Sequence, residues 1–181
     1  MSVLNIEDAL LLIIDIQEKL LNAVYNKYEL KKNIEIISKT AKILNLPCFV
    51  TEQYPAGLGG TISEIKSILS DSQYFEKTEF NALNNADLLI ELKNTGKKQV
   101  ILTGVETHIC VRQTANALLN EGFYVSIAKD ACGSRSEFEN NAGLDIMKQE
   151  GADIKTVEII LFELLKTAKH SNFKEIQSLI K

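Results

Sequence analysis

Two prolines and nine glycines among 181 residues are too few for a collagen-like chain or a Pro/Gly-rich disordered one. A basic excess is missing as well. With 24 acidic residues against 20 Lys and Arg, the formal net charge is −4, leaving no footprint for a phosphate backbone and no polybasic arm for an anionic membrane. Neither nucleic acid nor membrane is therefore expected as a partner. No apolar run approaches the roughly 18 residues of a membrane span; the longest, Ala9 to Ile14, stops at Asp15. Met1 to Asp8 holds two acids and no Lys or Arg, unlike a secretory leader, and a cytoplasmic protein is expected. Cys48, Cys110 and Cys132 are an odd, widely spaced set without a CxxC pair, as befits reduced thiols. Gly57, Gly59 and Gly60 are accompanied by no GKS or GKT, so they are read as a flexible pocket loop and not a phosphate cradle.

What is present is an ordinary globular composition, 45% hydrophobic and 24% charged, at a length that predicts one domain over 1–181. Ala9 to Ile14 is apolar without alternation, the mark of a strand buried on both faces of a parallel sheet. Helical spacing from Leu30 to Leu46 ends at Pro47 and is followed by a short strand, Cys48 to Thr51, and a polar loop, Glu52 to Gly60. The alternation continues with a strand at Tyr74 to Phe80, a helix at Asn84 to Asn94 and a strand at Gln99 to Thr103 closed by Gly104. Next come a helix from Ile109 to Glu121, a strand from Phe123 to Ala128, a helix from Glu137 to Glu150 and a strand from Asp153 to Val157. A last helical segment spans Asn172 to Ile180. Six strands alternating with helices predict an α/β fold: a three-layer α/β/α sandwich around a six-stranded parallel sheet of Rossmann-like topology. Ligands are expected outside the carboxyl ends of the strands.

Three chemically distinct residues fall at that rim. Asp15 ends the first strand, Lys77 ends the third, and Cys110 opens the helix after the fourth. Singly, each has a plain reading: a turn residue, a solvated charge, a buried thiol. Together they make a reactive set. A helix N-terminus and a nearby Lys both favour thiolate, and a carboxylate supplies a base. His108 stands two residues before Cys110, a spacing that does not bring side chains face to face, and is read as a pocket-rim or solvent histidine; His170 is read as a surface residue. Cys48 and Cys132 are read as small packing residues.

Six stretches carry a resemblance: LLLIIDIQEKL around Asp15, FVTEQYPAGLGGT around Gln53, FEKTEFNAL around Lys77, ILTGVETHICVRQT around Cys110, AKDACGSRS from Ala128, and the terminal FKEIQSLIK. In these the chain resembles the isochorismatase-like cysteine hydrolases, in particular their small isochorismatase domain-containing members. The resemblance implies the same three-layer sandwich and a catalytic triad of Asp15, Lys77 and Cys110. It further implies a cis peptide between Val105 and Glu106 and an oxyanion hole from the backbone N–H groups of Glu106 and Cys110. Gln17, Gln53, Tyr54 and Phe80 lie beside these elements and are candidate substrate contacts, with loop packing and strand-end hydrogen bonding as the alternative.

The implied activity is hydrolysis of a small amide or related acyl compound through a thioester, with a small-molecule substrate, no cofactor and a homo-oligomeric assembly. Nicotinamidases of the family hold a metal with an Asp-x-His pair and another His. His108 and His170 offer no such set, so no metal is expected. True isochorismatases typically lack the cysteine, so the presence of Cys110 argues against vinyl-ether hydrolysis. Where the family often has a small residue after the cis bond, this chain has Glu106, placing a carboxylate at the pocket. Two rival readings stand beside this one: a catalytically silent binding or scaffold protein of the same fold, and a nitrilase-type hydrolase, which the short chain disfavours.

Overall fold

A computed structural model describes residues 3–181, so the first two residues of the Met1–Asp8 stretch and of the 1–181 span lie outside the described residues. Strand β1 (Ala9–Ile14) is buried along its whole length, and its alternation divides the molecule. Ala9, Leu11 and Ile13 point into one apolar cluster, and Leu10, Leu12 and Ile14 into another on the opposite face. This two-sided burial is why the run reads as continuous apolar sequence.

The first cluster is covered by α2 (Lys27–Ile43), whose Leu30, Ile34, Ile37 and Ala41 fall at helical spacing, and by α8 (Val157–Leu165). The short helices α1 (Glu18–Leu21), α4 (Ser63–Ile68) and α9 (Phe173–Ser178) add Leu21, Ile65 and Ile176 to it. The opposite face is covered by α5 (Ala86–Asn94), α6 (Arg112–Asn120) and α7 (Glu137–Gln149) through residues such as Leu88, Ala115 and Met147.

Five further strands complete the sheet: β2 (Cys48–Gln53), β3 (Gln73–Lys77), β4 (Gln99–Val105), β5 (Tyr124–Gly133) and β6 (Asp153–Lys155). Every pairing is parallel and the order is β3-β2-β1-β4-β5-β6. Chain direction across the sheet reverses between β1 and β4, and this switch point opens a crevice at their carboxyl ends.

Several boundaries differ from the sequence reading. Helix α2 begins three residues before Leu30, and β2 continues through Glu52 and Gln53 into the stretch read as loop. The rest of that stretch holds a one-turn helix, α3 (Pro55–Leu58), entered through Tyr54 at φ 37°. Far from being slack, it is tethered: buried Glu52 accepts the Thr61 N–H at 2.7 Å, and Lys19 donates to the Gly57 carbonyl at 2.7 Å. Strand β3 ends at Lys77, three residues before Phe80.

Gly104 does not close β4 but lies inside it at φ 126°, where a Cβ would fall 2.1 Å from the Ile14 carbonyl oxygen. Strand β5 runs five residues beyond Ala128, because its pairing with β4 shifts register between Leu102 and Gly104 and then resumes at Cys132 and Gly133. Helix α8 escaped the sequence reading: VEIILFELL is apolar almost all round and shows no period, yet Thr156 caps it by accepting the Ile159 N–H.

Candidate active site

Asp15 sits one residue past β1, at φ 53°, with its N–H donating to the Thr51 carbonyl at 3.1 Å. This left-handed turn points the chain away from the sheet while the carboxylate stays fully buried. The Thr51 hydroxyl donates to Asp15 Oδ1 at 2.7 Å and Lys77 Nζ donates to Oδ2 at 2.6 Å. The ammonium also donates to Gln53 Oε1 at 2.5 Å and to the Glu79 carbonyl at 3.2 Å, so all three of its protons are placed. The side chains of Lys77 and Asp15 are 1% and 0% exposed. Removing one member of such a pair strands a buried charge, at a cost of about 3–5 kcal/mol.

Cys110 reaches the same place from β4. The Val105–Glu106 peptide bond is cis, and the chain then enters a wide turn of π-helical form, Thr107–Val111, that leads into α6. The Glu106 carbonyl accepts the N–H groups of Ile109 at 3.0 Å and Val111 at 3.2 Å, on either side of Cys110. The Cys110 sulfur lies within reach of the Asp15 carboxylate and of the Glu106 N–H.

The expected thiolate is not its resting form. Burial pushes the Cys110 thiol up to about 12, the Asp15 charge and hydrogen bond push the same way, and Lys77 and the Glu106 N–H only partly oppose them. The sequence reading placed Cys110 at a helix N-terminus. In the structure it is the fourth residue of the π turn, buried beside a carboxylate, so the neighbouring negative charge and the missing water outweigh the helix end.

A model of the isochorismatase domain matches residues 9–159. The chain belongs to the isochorismatase family. It is 36% identical over 178 residues to isochorismatase domain-containing protein 2 of Danio rerio, covering 98% of this chain and 89% of that one. Among solved structures it is similar to the MAR1 ribonuclease of Caenorhabditis elegans, with a TM-score of 0.93, 34% identity, and coverage of 99% of this chain and 92% of that one. It is also similar to the YcaC gene product of Escherichia coli, an octameric hydrolase of unknown specificity, with a TM-score of 0.90, 30% identity, and coverage of 99% and 95%.

Within this isochorismatase-family frame the four candidate contacts divide. Gln17 is fully buried and its amide is committed to the fold: Oε1 accepts the Gln53 N–H at 2.7 Å, while Nε2 donates to the Gln53 and Gly59 carbonyls. Gln53 is similarly engaged, holding Lys77 with its oxygen and the Thr78 carbonyl with its nitrogen. For both, strand-end hydrogen bonding is the role the structure supplies. Tyr54 is 56% exposed and lines a cavity of about 370 Å³ beside Lys77, with Pro55, Thr78 and Glu79. Phe80 is 52% exposed and does not line that cavity.

Glu106 is drawn to Arg135 at 3.0 Å, which neutralises the carboxylate that the sequence places next to the cis bond. His108 is turned to other partners: its Nδ1 meets the buried Ser134 hydroxyl at 3.0 Å, and its Nε2 lies 3.8 Å from the Glu139 carboxylate. A divalent metal does not fit this donor set. Among the described residues no group of three or more His, Cys, Asp or Glu side chains comes together to hold one. Thr51 escaped the sequence reading; the signal for it was that β2 lies beside β1, which puts its last residues against Asp15.

Proposed function

We propose that this isochorismatase-family protein is a metal-independent cysteine hydrolase of a small amide or related acyl compound. The observation that carries the reading is the buried Asp15–Lys77 ion pair beside the Cys110 thiol. Because that thiol rests protonated, deprotonation is coupled to attack: Asp15 takes the proton as sulfur bonds to the carbonyl carbon. The backbone N–H groups of Glu106 and Cys110 receive the oxyanion. Asp15 then protonates the leaving amine, and water, with Asp15 as base, hydrolyses the thioester. Lys77 holds Asp15 aimed through their 2.6 Å hydrogen bond. Tyr54, at the cavity beside Lys77, and the exposed Phe80 are the candidates for substrate contact.

We further propose a cytoplasmic, one-domain protein that works as a homo-oligomer, as its octameric structural neighbour does. Among the described residues no helix is long and apolar enough to cross a membrane. The test is a panel of amides, ureides and esters, with nicotinamide and an RNA oligonucleotide included, run with wild type and Cys110→Ala and with and without chelator. Turnover of a small acyl compound, lost in Cys110→Ala and indifferent to chelator, is the expected result. Turnover retained in Cys110→Ala, or chelator-sensitive hydrolysis of nicotinamide, would overturn it.

A further inference from the structure

Helix α7 contributes no member of the Asp15–Lys77–Cys110 set, yet it is pressed against the turn that carries Cys110. At Gly143 a Cβ would fall 2.8 Å from the His108 Cα, 3.0 Å from the His108 nitrogen and 3.1 Å from the Thr107 carbonyl carbon. These are backbone atoms of the π turn itself and cannot swing aside as a side chain would. Gly143 has no positive φ, so α7 does not need glycine for its own sake; mid-helix, alanine would be favoured by about 1 kcal/mol. One helical turn earlier, on the same face, lies Asn140, 5% exposed. Its Oδ1 accepts the hydroxyl of the fully buried Thr107 at 2.6 Å. The first turn of α7 is itself fixed by Ser136, which accepts the Glu139 N–H.

We propose that Gly143 and Asn140 are positioning residues for acyl transfer: by close backbone approach and one buried hydrogen bond they set where the Thr107–Val111 turn sits, and with it the aim of the Glu106 and Cys110 N–H groups. The inference rests on the cysteine-hydrolase reading above and deepens it. The nucleophile's support comes from a helix about thirty residues further along the chain, across a contact with no room for one methyl group.

Two reagents separate positioning from mere packing. p-Nitrophenyl acetate acylates a cysteine through a tetrahedral oxyanion: sulfur bonds to the carbonyl carbon, p-nitrophenolate departs, and the thiol proton passes to Asp15. Iodoacetamide alkylates the same sulfur by displacing iodide and builds no oxyanion. In Gly143→Ala, acylation measured by p-nitrophenolate release should fall about 10- to 100-fold, since small misplacements of a reacting group and its donors act at this scale. Alkylation of Cys110 should stay near the wild-type rate even though the melting temperature falls, because the added methyl meets backbone that cannot swing aside.

Asn140→Ala should show the same split more weakly, and Asn141→Ala, on the exposed side of α7, should show neither effect. Acylation unchanged in both Gly143→Ala and Asn140→Ala, or acylation and alkylation falling in equal measure in a folded Asn140→Ala, would overturn the proposal. Should Gly143→Ala fail to fold, Asn140→Ala decides alone. A Cys110→Ala control keeps the two ideas apart. Release that persists there overturns the cysteine reading itself, whereas release lost there but intact in both α7 variants overturns only the role of α7.

Discussion

Cys110, in the turn after β4, and Cys132, near the end of β5, are buried in the same apolar cluster, both with thiols pushed up to about 12, yet their surroundings differ. Around Cys132 burial dominates, the distant Asp130 charge adds to it, and only the Gly104 N–H and the Thr103 hydroxyl relieve it. Around Cys110 the second cause is a carboxylate in direct reach, itself clamped by Lys77 and Thr51. Acidity alone therefore does not distinguish the two thiols. What separates the two is the Asp15 carboxylate within hydrogen-bond distance of Cys110.

The bluntest way to break this contrast is to delete each sulfur in turn. Cys110→Ala should cut turnover by about 10³-fold or more while leaving the fold intact. Cys132→Ala should keep turnover and instead lower stability by about 1–2 kcal/mol, read from urea unfolding, because it opens a small cavity in the core. Equal losses of activity would mean that the site is not centred on Cys110.

A sharper cut moves the charges and keeps the sulfur. Asp15→Asn removes a negative charge, so the Cys110 thiol should titrate lower; Lys77→Met removes a positive one, so it should titrate higher. Thiolate absorbance near 240 nm, corrected with Cys110→Ala, reads both shifts. Turnover should nevertheless fall in both variants, by about 10²- to 10⁴-fold in Asp15→Asn, because the base has gone. Shifts of the same sign would show that the ion pair does not govern this thiol.

A last effect, on stability and not on turnover, is shared by both cysteines and by Cys48, whose thiol burial also pushes up to about 12. A thiol near 8.5 when unfolded and at about 12 when folded keeps its proton longer in the native state. Its stabilisation is thus complete below the unfolded value and is lost as pH rises from there towards 12, by roughly 1.4 kcal/mol per pH unit for each such group. Urea midpoints should hold to about pH 8 and fall beyond it. The fall should be shallower in Cys132→Ala, and an unchanged slope would remove this thiol from the alkaline loss.

Much of the frame was legible in the residues. Ala9 to Ile14 announced a doubly buried strand because nothing polar interrupts it, and Asp15, Lys77 and Cys110 stood out as a set because each follows a strand. Other features were illegible for physical reasons. Helix α8 has no polar face to show a period. The continuation of β5 past Ala128 is masked by Lys129 and Asp130, whose polarity reads as an ending although Asp130 in fact accepts the Val157 N–H at 2.8 Å. For Gln17 and Gln53, an amide next to a reactive residue carries no sign of whether it will face a ligand or a backbone. The state of the Cys110 thiol depends on how much water the fold removes, which no local motif records.

The order β3-β2-β1-β4 has a consequence for how the protein comes into being. Asp15, Lys77 and Cys110 are far apart along the chain, and Lys77 meets Asp15 only across the intervening strand β2. As the chain emerges from the ribosome, the acid and its lysine can pair once β1, β2 and β3 have docked, but the sulfur arrives only after β4 has been threaded in beside β1. Until then the buried pair of charges waits without its thiol, over the stretch of synthesis between Lys77 and Cys110.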